Sequence, residues 1–341
     1  MTKVKQAVIM VGGKGTRLLP LTETRPKPVL PVADRPCIWY LLRSMARAGI
    51  EEVILACGYK PGMMEVLGDG SDLGIHIEYS YEDEPRGTGG AIKLVEDRLD
   101  ETFVAANGDV FADLDVAGEI ATHIRTGAEI TDLLIPVDNP CDYGIACVDD
   151  DLRITAFKDK PKPEEVFSNL INAGVYVVQK TAIELVPENT FFDFSMDLIP
   201  KVIAEGRRVQ GHRLDGLWMD VGRPHDLLRA NLCVAESEFG SEGPGTASGC
   251  KREGTTYVGY GAEVSDSVIE ASVVSGGCKV SSSTIVNSLV MPRCRIECVT
   301  LTNAILGEGC IVGKGATIRD EVLRDGTVVP EGANITGNRL V

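Results

Sequence analysis

The chain contains no run of about 18 apolar residues, the length a helix needs to cross a bilayer. Its apolar N-terminal stretch, residues 4–11, is too short for a signal h-region and reads as a buried strand. A cytoplasmic protein that does not enter membranes is therefore expected. Basic residues are in deficit: 34 Lys and Arg against 50 Asp and Glu leave a net charge of −16 and a pI near 4.8. Such a field repels nucleic acid and anionic lipid surfaces, so any bound phosphate must be held by a few placed cations and a metal. Histidine is scarce, with only His76, His123, His212 and His225, and none follows residue 225. The ten cysteines lack the dense, regular spacing of a disulfide scaffold. Cys37, Cys57 and Cys147 stand among apolar neighbours and are read as reduced core residues. Cys294 and Cys298 have no histidine or second pair to complete a zinc set and are read as packing.

What is present is order along the chain. From residue 1 to about 235, short apolar runs alternate with helical patterns: a strand at 7–11, a helix at 38–48, strands at 53–57 and 75–81, a helix at 90–98 and a strand at 103–106. That alternation predicts a doubly wound, Rossmann-like α/β sheet, whose ligands lie beyond the carboxyl ends of the strands. Residues 237–256 turn to Gly, Ser, Pro and charge and read as a linker. Beyond it aliphatic residues recur at every sixth position: Val258 and Val264; Val268, Val274, Val280 and Val286; Val290 and Ile296; Leu306, Val312 and Ile318; Val329 and Ile335. A hexad period with small residues between predicts a left-handed parallel β-helix. The expected domains are 1–236, the linker 237–256, and 257–341.

The first strand runs into Gly12-Gly13-Lys14-Gly15-Thr16-Arg17, a turn whose backbone amides can approach phosphate oxygens. It is neither a P-loop, since no Gly-Lys-Ser/Thr falls at the required spacing, nor a dinucleotide fingerprint, whose third glycine is missing. Next comes Pro26-Lys27-Pro28, where proline geometry is expected to hold the Lys27 backbone extended and aim its ammonium. Asp109 follows Asn107-Gly108 at a strand end, where a carboxylate is either a turn former or a metal ligand. Asp220 sits between Met219 and Val221 in a stretch that reads as buried, where a carboxylate needs a partner.

Gly-Gly-x-Gly-Thr-Arg-Leu followed by Pro-Lys-Pro resembles the signature of the sugar-1-phosphate nucleotidyltransferase family, and further landmarks follow in family order. The resemblance covers essentially the whole chain, because that family often carries a C-terminal hexapeptide β-helix. It implies a nucleotide site at Gly12, Gly13, Gly15, Thr16, Glu84, Gly87, Thr88 and Gly89. It implies sugar contacts from Tyr143, Gly144, Asp159, Asn172 and Gly174, with Asp159 standing where the family usually has glutamate, one methylene shorter. Arg17 would act on the leaving phosphates, Lys27 on substrate phosphates and Lys160 on the sugar 1-phosphate, with Mg²⁺ on Asp109 and Asp220. Lys14, Lys158 and Lys162 are read as solvated surface lysines. The reaction so implied joins an NTP to a sugar 1-phosphate and expels pyrophosphate. In motif detail the chain is most similar to mannose- or heptose-type guanylyltransferase members. Thymidylyl- or uridylyltransferases acting on glucose 1-phosphate are the alternative, and a non-catalytic regulatory subunit is disfavoured because Arg17, Lys27, Asp109, Lys160 and Asp220 are all present. The β-helix has no histidine for an acyltransfer site, so it is expected to build a homo-oligomer.

Overall fold

The computed structural model describes residues 3–13, 15–58 and 62–338, so Lys14 lies outside the described residues. The chain divides into two compact units. The first comprises Met1–Gly13 and Ile38–Trp218, and the second Lys14–Cys37 and Met219–Val341.

The first unit is built on four parallel strands, β1 (Gln6–Met10), β2 (Glu52–Cys57), β3 (His76–Tyr81) and β4 (Thr102–Asn107), in the spatial order β3-β2-β1-β4. All five residues of β1 are buried, as expected of a parallel strand covered on both faces, which reads as continuous apolar sequence rather than as alternation. The chain winds outward from β1 through α1 (Cys37–Arg47) to β2 and β3, then returns to lay β4 on the other side of β1. Strand order therefore reverses between β1 and β4, and the crevice there opens beside the loops that follow Met10 and Asn107.

The sheet is mixed beyond β4. After β5 (Val110–Leu114) come β6 (Ile130–Pro136), β7 (Gly144–Val148), β8 (Ile154–Asp159) and β9 (Leu170–Gln179), and β9 pairs antiparallel with β4, β6 and β7. β10 (Val209–Arg213) joins β6 in parallel. Val8, Ile54, Phe103, Ala105, Ile130 and Tyr176 fill one core layer, each fully buried aliphatic or aromatic side chain among them contributing about 1.5–3 kcal/mol over exposure. The helix expected at 90–98 is instead α2 (Gly87–Leu94), followed by a separate 3-10 turn, Glu96–Arg98. Its early start falls within the glycine run, because packing against residue 192 supports a backbone that propensity alone disfavours.

In the second unit, residues 15–37 form a loop with two one-turn 3-10 helices, Thr16–Leu18 and Lys27–Val29, and a short antiparallel pair, Pro31–Val32 with Arg35–Pro36. A long helix, α3 (Pro224–Phe239), precedes the parallel β-helix. The expected linker is corrected in one respect: α3 runs to Phe239, and Thr246–Ser248 and Lys251–Glu253 pair with Glu263–Ser265 and Val268–Glu270, so these residues form the first coil.

The hexad reading is sharpened as well. Inward residues stack in three columns: Val264, Val280, Ile296 and Val312; Ile269, Ile285 and Leu301; Val258, Val274, Val290 and Leu306. Members of a column are sixteen residues apart, as in Val264 and Val280. A coil thus steps by six residues on one side and by five on the other two. Val268 and Val286, taken from sequence as core, are half-exposed, and Ile269 and Ile285 turn inward in their place. Buried serines finish the corners, with Ser267, Ser272, Ser283 and Ser288 hydroxyls accepting the amides of Ser283, Ser288, Val299 and Ala304 one coil on.

All ten cysteines are free thiols. Cys37 and Cys57 are buried as expected, but Cys147 is exposed, because it lies on the outward side of the edge-proximal strand β7. Cys294 is buried and donates to the Gly307 carbonyl at 3.2 Å, whereas Cys298 is exposed. Among the described residues no helix is long and apolar enough to cross a membrane.

Candidate active site

In the first unit the switch point carries two of the predicted elements. Gly12 and Gly13 follow β1 and are exposed, and a Cβ at Gly13 would meet nothing within 4 Å, so the backbone there is open to a ligand. On the other side of the crevice Gly108 and Asp109 make the tight turn between β4 and β5, with Gly108 N–H donating to the Met10 carbonyl at 2.8 Å. A Cβ at Gly108 would collide with Val11, which is why glycine stands there. This close approach sets Asp109, half-buried, at the mouth of the switch point.

The loop expected to bind the base is held in place by residues 192–194. Glu84 is exposed. Gly87, at φ +73°, and Gly89 leave room for the Phe192 carbonyl, which a Cβ would approach to 2.6 and 3.0 Å. The Thr88 hydroxyl donates to Asp193 at 3.0 Å and accepts the Phe194 amide at 2.8 Å. Thr88 therefore pins the loop to residues 192–194 in addition to any contact with a nucleotide.

The sugar-side residues form two groups. In one, the Lys160 amide donates to the Tyr143 carbonyl at 2.9 Å, and Asp159 lies 3.9 Å from the exposed Lys160 ammonium and accepts from the Ser195 hydroxyl at 3.2 Å. Burial pushes the Asp159 carboxyl above its ordinary range, and the Lys160 charge opposes that. Gly144 admits the Phe157 ring, which a Cβ would approach to 2.6 Å. In the other group, Asn172 accepts the Gly174 amide and donates to the Tyr176 hydroxyl, both at 2.6 Å. Gly174, at φ +76°, also clears the Asn107 side chain. Trp218 joins the two groups by packing edge-on to Tyr143, with ring centroids 5.9 Å apart, and donating to the Ala173 carbonyl at 2.8 Å. Lys158 pairs with Glu165 at 2.7 Å, consistent with a surface role.

In the second unit the signature loop gathers the cations. Gly15 adopts φ +60° at the start of the first 3-10 turn, a conformation that favours glycine, and Thr22 caps its carbonyl at 2.8 Å. Thr16 and Arg17 are exposed on that turn. The expectation of an extended Lys27 is corrected: Lys27 opens the second 3-10 turn, and the extended residue is Pro26 at φ −70° and ψ 150°. Pro28 is tolerated because a first turn needs no N–H at that position. Lys27 is only 5% exposed, and its ammonium lies 3.3 Å from Asp220, whose other oxygen lies 3.8 Å from the Arg17 guanidinium. The stretch leading to Asp220 is more open than its sequence reading, with Gly216 and Leu217 exposed and Asp220 half-buried, and the partner its carboxylate meets is this pair of cations.

Ser195 and Asp193 were not singled out from sequence. Asp193 caps the Phe194–Leu198 turn by accepting the Ser195 and Met196 amides, both at 2.9 Å. The available signal was a capping residue ahead of an apolar run. Among the described residues no group of three or more His, Cys, Asp and Glu side chains could hold a metal unaided.

Comparison with known proteins identifies the family. The family described as nucleotidyl transferase matches residues 6–237, and the GlmU-like C-terminal hexapeptide family matches residues 257–339. A mannose-1-phosphate guanylyltransferase of Mycobacterium tuberculosis is 36% identical over 274 residues, covering 76% of each chain. A UTP–glucose-1-phosphate uridylyltransferase of Synechocystis is 29% identical over 294 residues, covering 77% of this chain and 76% of its own. A Bacillus anthracis crystal structure named as a glucose-1-phosphate thymidylyltransferase shares the fold, with a TM-score of 0.63 at 24% identity over 69% of this chain and 97% of that one. The chain belongs to the nucleotidyl transferase family, with a GlmU-like hexapeptide domain following its nucleotidyltransferase region.

Proposed function

We propose that the protein forms an NDP-sugar and pyrophosphate from an NTP and a sugar 1-phosphate, with GTP and mannose 1-phosphate as the preferred pair. The observation that carries the reading is Lys27, a buried lysine of an acidic protein, held against Asp220 beside Arg17. Cations so placed serve phosphates, because a reaction at the α-phosphorus asks the protein for positioning and charge neutralisation. Arg17 neutralises the leaving phosphates, Lys27 orients the triphosphate, and Lys160 receives the sugar 1-phosphate. The phosphate monoester is already anionic, so its oxygen attacks without a general base. The exposed amides of residues 12 and 13 face the nucleotide, and Asn172, Gly174, Tyr143, Gly144 and Asp159 bound the sugar.

Asp109 and Asp220 offer hard oxygen donors that suit Mg²⁺, which takes a few carboxylates and completes its shell with phosphate oxygens and water. When bound it would supply charge stabilisation at those phosphates. The choice of GTP and mannose 1-phosphate is supported by the name of the relative at 36% identity. Glucose 1-phosphate with UTP or dTTP is the second reading, supported by the uridylyltransferase relative at 29%.

A panel of five NTPs (GTP, dTTP, UTP, ATP, CTP) against mannose, glucose and N-acetylglucosamine 1-phosphates tests the proposal. Pyrophosphate release that requires both substrates and Mg²⁺, and is fastest with GTP and mannose 1-phosphate, is expected. No release with any pair would refute it. We further place self-association on the β-helix, whose coils present flat sheet faces. Light scattering is expected to give a multiple of the 36.6 kDa chain mass, and a monomer at micromolar concentration would contradict this.

A further inference from the structure

The loop that carries Arg17 and Lys27 is fastened to the β-helix at two points within the second unit. At the first, Arg25 places its two terminal nitrogens on different coils, 2.7 Å from Glu308 and 2.7 Å from Asp325. The Thr24 hydroxyl donates to the same Asp325 oxygen at 2.6 Å. The acids are themselves held: the other Asp325 oxygen accepts the Glu308 amide at 2.8 Å, and Arg293 pairs with Glu308. Side-chain exposure is 23% for Arg25, 16% for Glu308 and 15% for Asp325. These are partly desolvated charges in a network, the setting in which ion pairs hold geometry better than isolated surface pairs do.

At the second point Asp34, at φ +66°, turns its carboxylate into the β-helix. One oxygen accepts the Gly276 amide at 2.6 Å, and the other accepts the Tyr260 amide at 2.8 Å and the Tyr257 hydroxyl at 3.1 Å. Gly259 and Gly276 are glycines where a Cβ would crowd this carboxylate. Asn231 of α3 steadies the same end of the loop through the Ala33 amide at 2.9 Å and the Pro31 carbonyl at 3.2 Å.

Lys27 lies between the two fastenings, two residues from Arg25. The intervening Pro26 and the following Pro28 have fixed φ, so displacement at Arg25 passes to the Lys27 backbone with little slack. We infer that Glu308 and Asp325 of the β-helix are positioning residues for nucleotidyl transfer, acting through Arg25 to hold Lys27 in register with the triphosphate. The β-helix is then part of the catalytic apparatus as well as a surface for assembly. The inference rests on the reading of Lys27 as a phosphate-binding cation.

The test uses the full chain with Asp325→Asn and Glu308→Gln, singly and together, which keep shape and remove charge. A loss of kcat/KM for the NTP between about tenfold and a hundredfold is expected for the double variant, since small misplacements of a binding group have effects of that order. The KM for the sugar 1-phosphate should stay at the wild-type value, and amide hydrogen exchange in residues 15–37 should quicken. Exchanging the charges, Arg25→Asp with Asp325→Arg, should recover more activity than either change alone. Wild-type kinetics in the double variant overturn the inference, as does equal deterioration of both substrates' KM without faster exchange in the loop. An inactive wild type would instead overturn the functional reading and, with it, the catalytic role inferred for Glu308 and Asp325.

Discussion

Lys27→Met is expected to lower kcat/KM for nucleotidyl transfer by about two to three orders of magnitude, the scale seen when one preorganised charge-stabilising donor is removed from a sheltered site. Methionine keeps the unbranched stem, so packing around a residue that is 5% exposed changes little. What goes is the ammonium 3.3 Å from Asp220. Removing one member of a buried pair leaves the other uncompensated, but Asp220 is 21% exposed and keeps the Arg17 guanidinium at 3.8 Å. A stability cost of about 1–2 kcal/mol follows for an acid that still has water and one cation. Steady-state kinetics and thermal melting read the two effects separately. A rate within threefold of wild type would remove Lys27 from the phosphate site.

Asp109→Asn and Asp220→Asn should each reduce the rate by about three orders of magnitude, since each removes an anionic oxygen from the set assigned to Mg²⁺ and metal charge stabilisation amounts to several kcal/mol. Their side effects should differ. Asp109 lies at the turn after β4, half-buried at the open end of the sheet, and its amide variant should ask for more Mg²⁺. Asp220 also neutralises Lys27. Its amide variant leaves a buried ammonium facing a neutral group and should lose stability together with affinity for the NTP. A melting temperature for the Asp220 variant equal to that of wild type would contradict the ion pair as described, and full activity in either variant would contradict the metal assignment.

The strands of the first unit were legible because continuous apolar runs bounded by turn residues have few other folded uses. In the glycine signature the fold itself demands Gly15, for its left-handed backbone, whereas Gly12 and Gly13 leave bare backbone beside an open crevice where a Cβ would meet no close contact. Conformation inside the short Pro26-Lys27-Pro28 segment was not, since the rule disfavouring helix before proline is weak for a single 3-10 turn, and hydrogen bonds from Val29 and Leu30 back to Pro26 and Lys27 outweighed it. The β-helix was visible as a six-residue period, but the five-residue sides hid the inward turn of Ile269 and Ile285. Least legible were contacts far apart in sequence. Arg25 with Glu308 and Asp325, and Asp34 with Tyr260 and Gly276, span more than two hundred positions, and nothing local to either end announces the other. The bond of Thr88 to Asp193, across more than one hundred positions, was equally hidden.

The central claim is that a sugar 1-phosphate oxygen attacks the α-phosphorus of an NTP. It is tested most directly by running the reaction with mannose 1-phosphate labelled with ¹⁸O in its phosphate and following the products by ³¹P NMR. Label is expected in the NDP-sugar, including its bridging position, and none in the pyrophosphate released. Labelled inorganic phosphate, or pyrophosphate formed without an NDP-sugar, would contradict it.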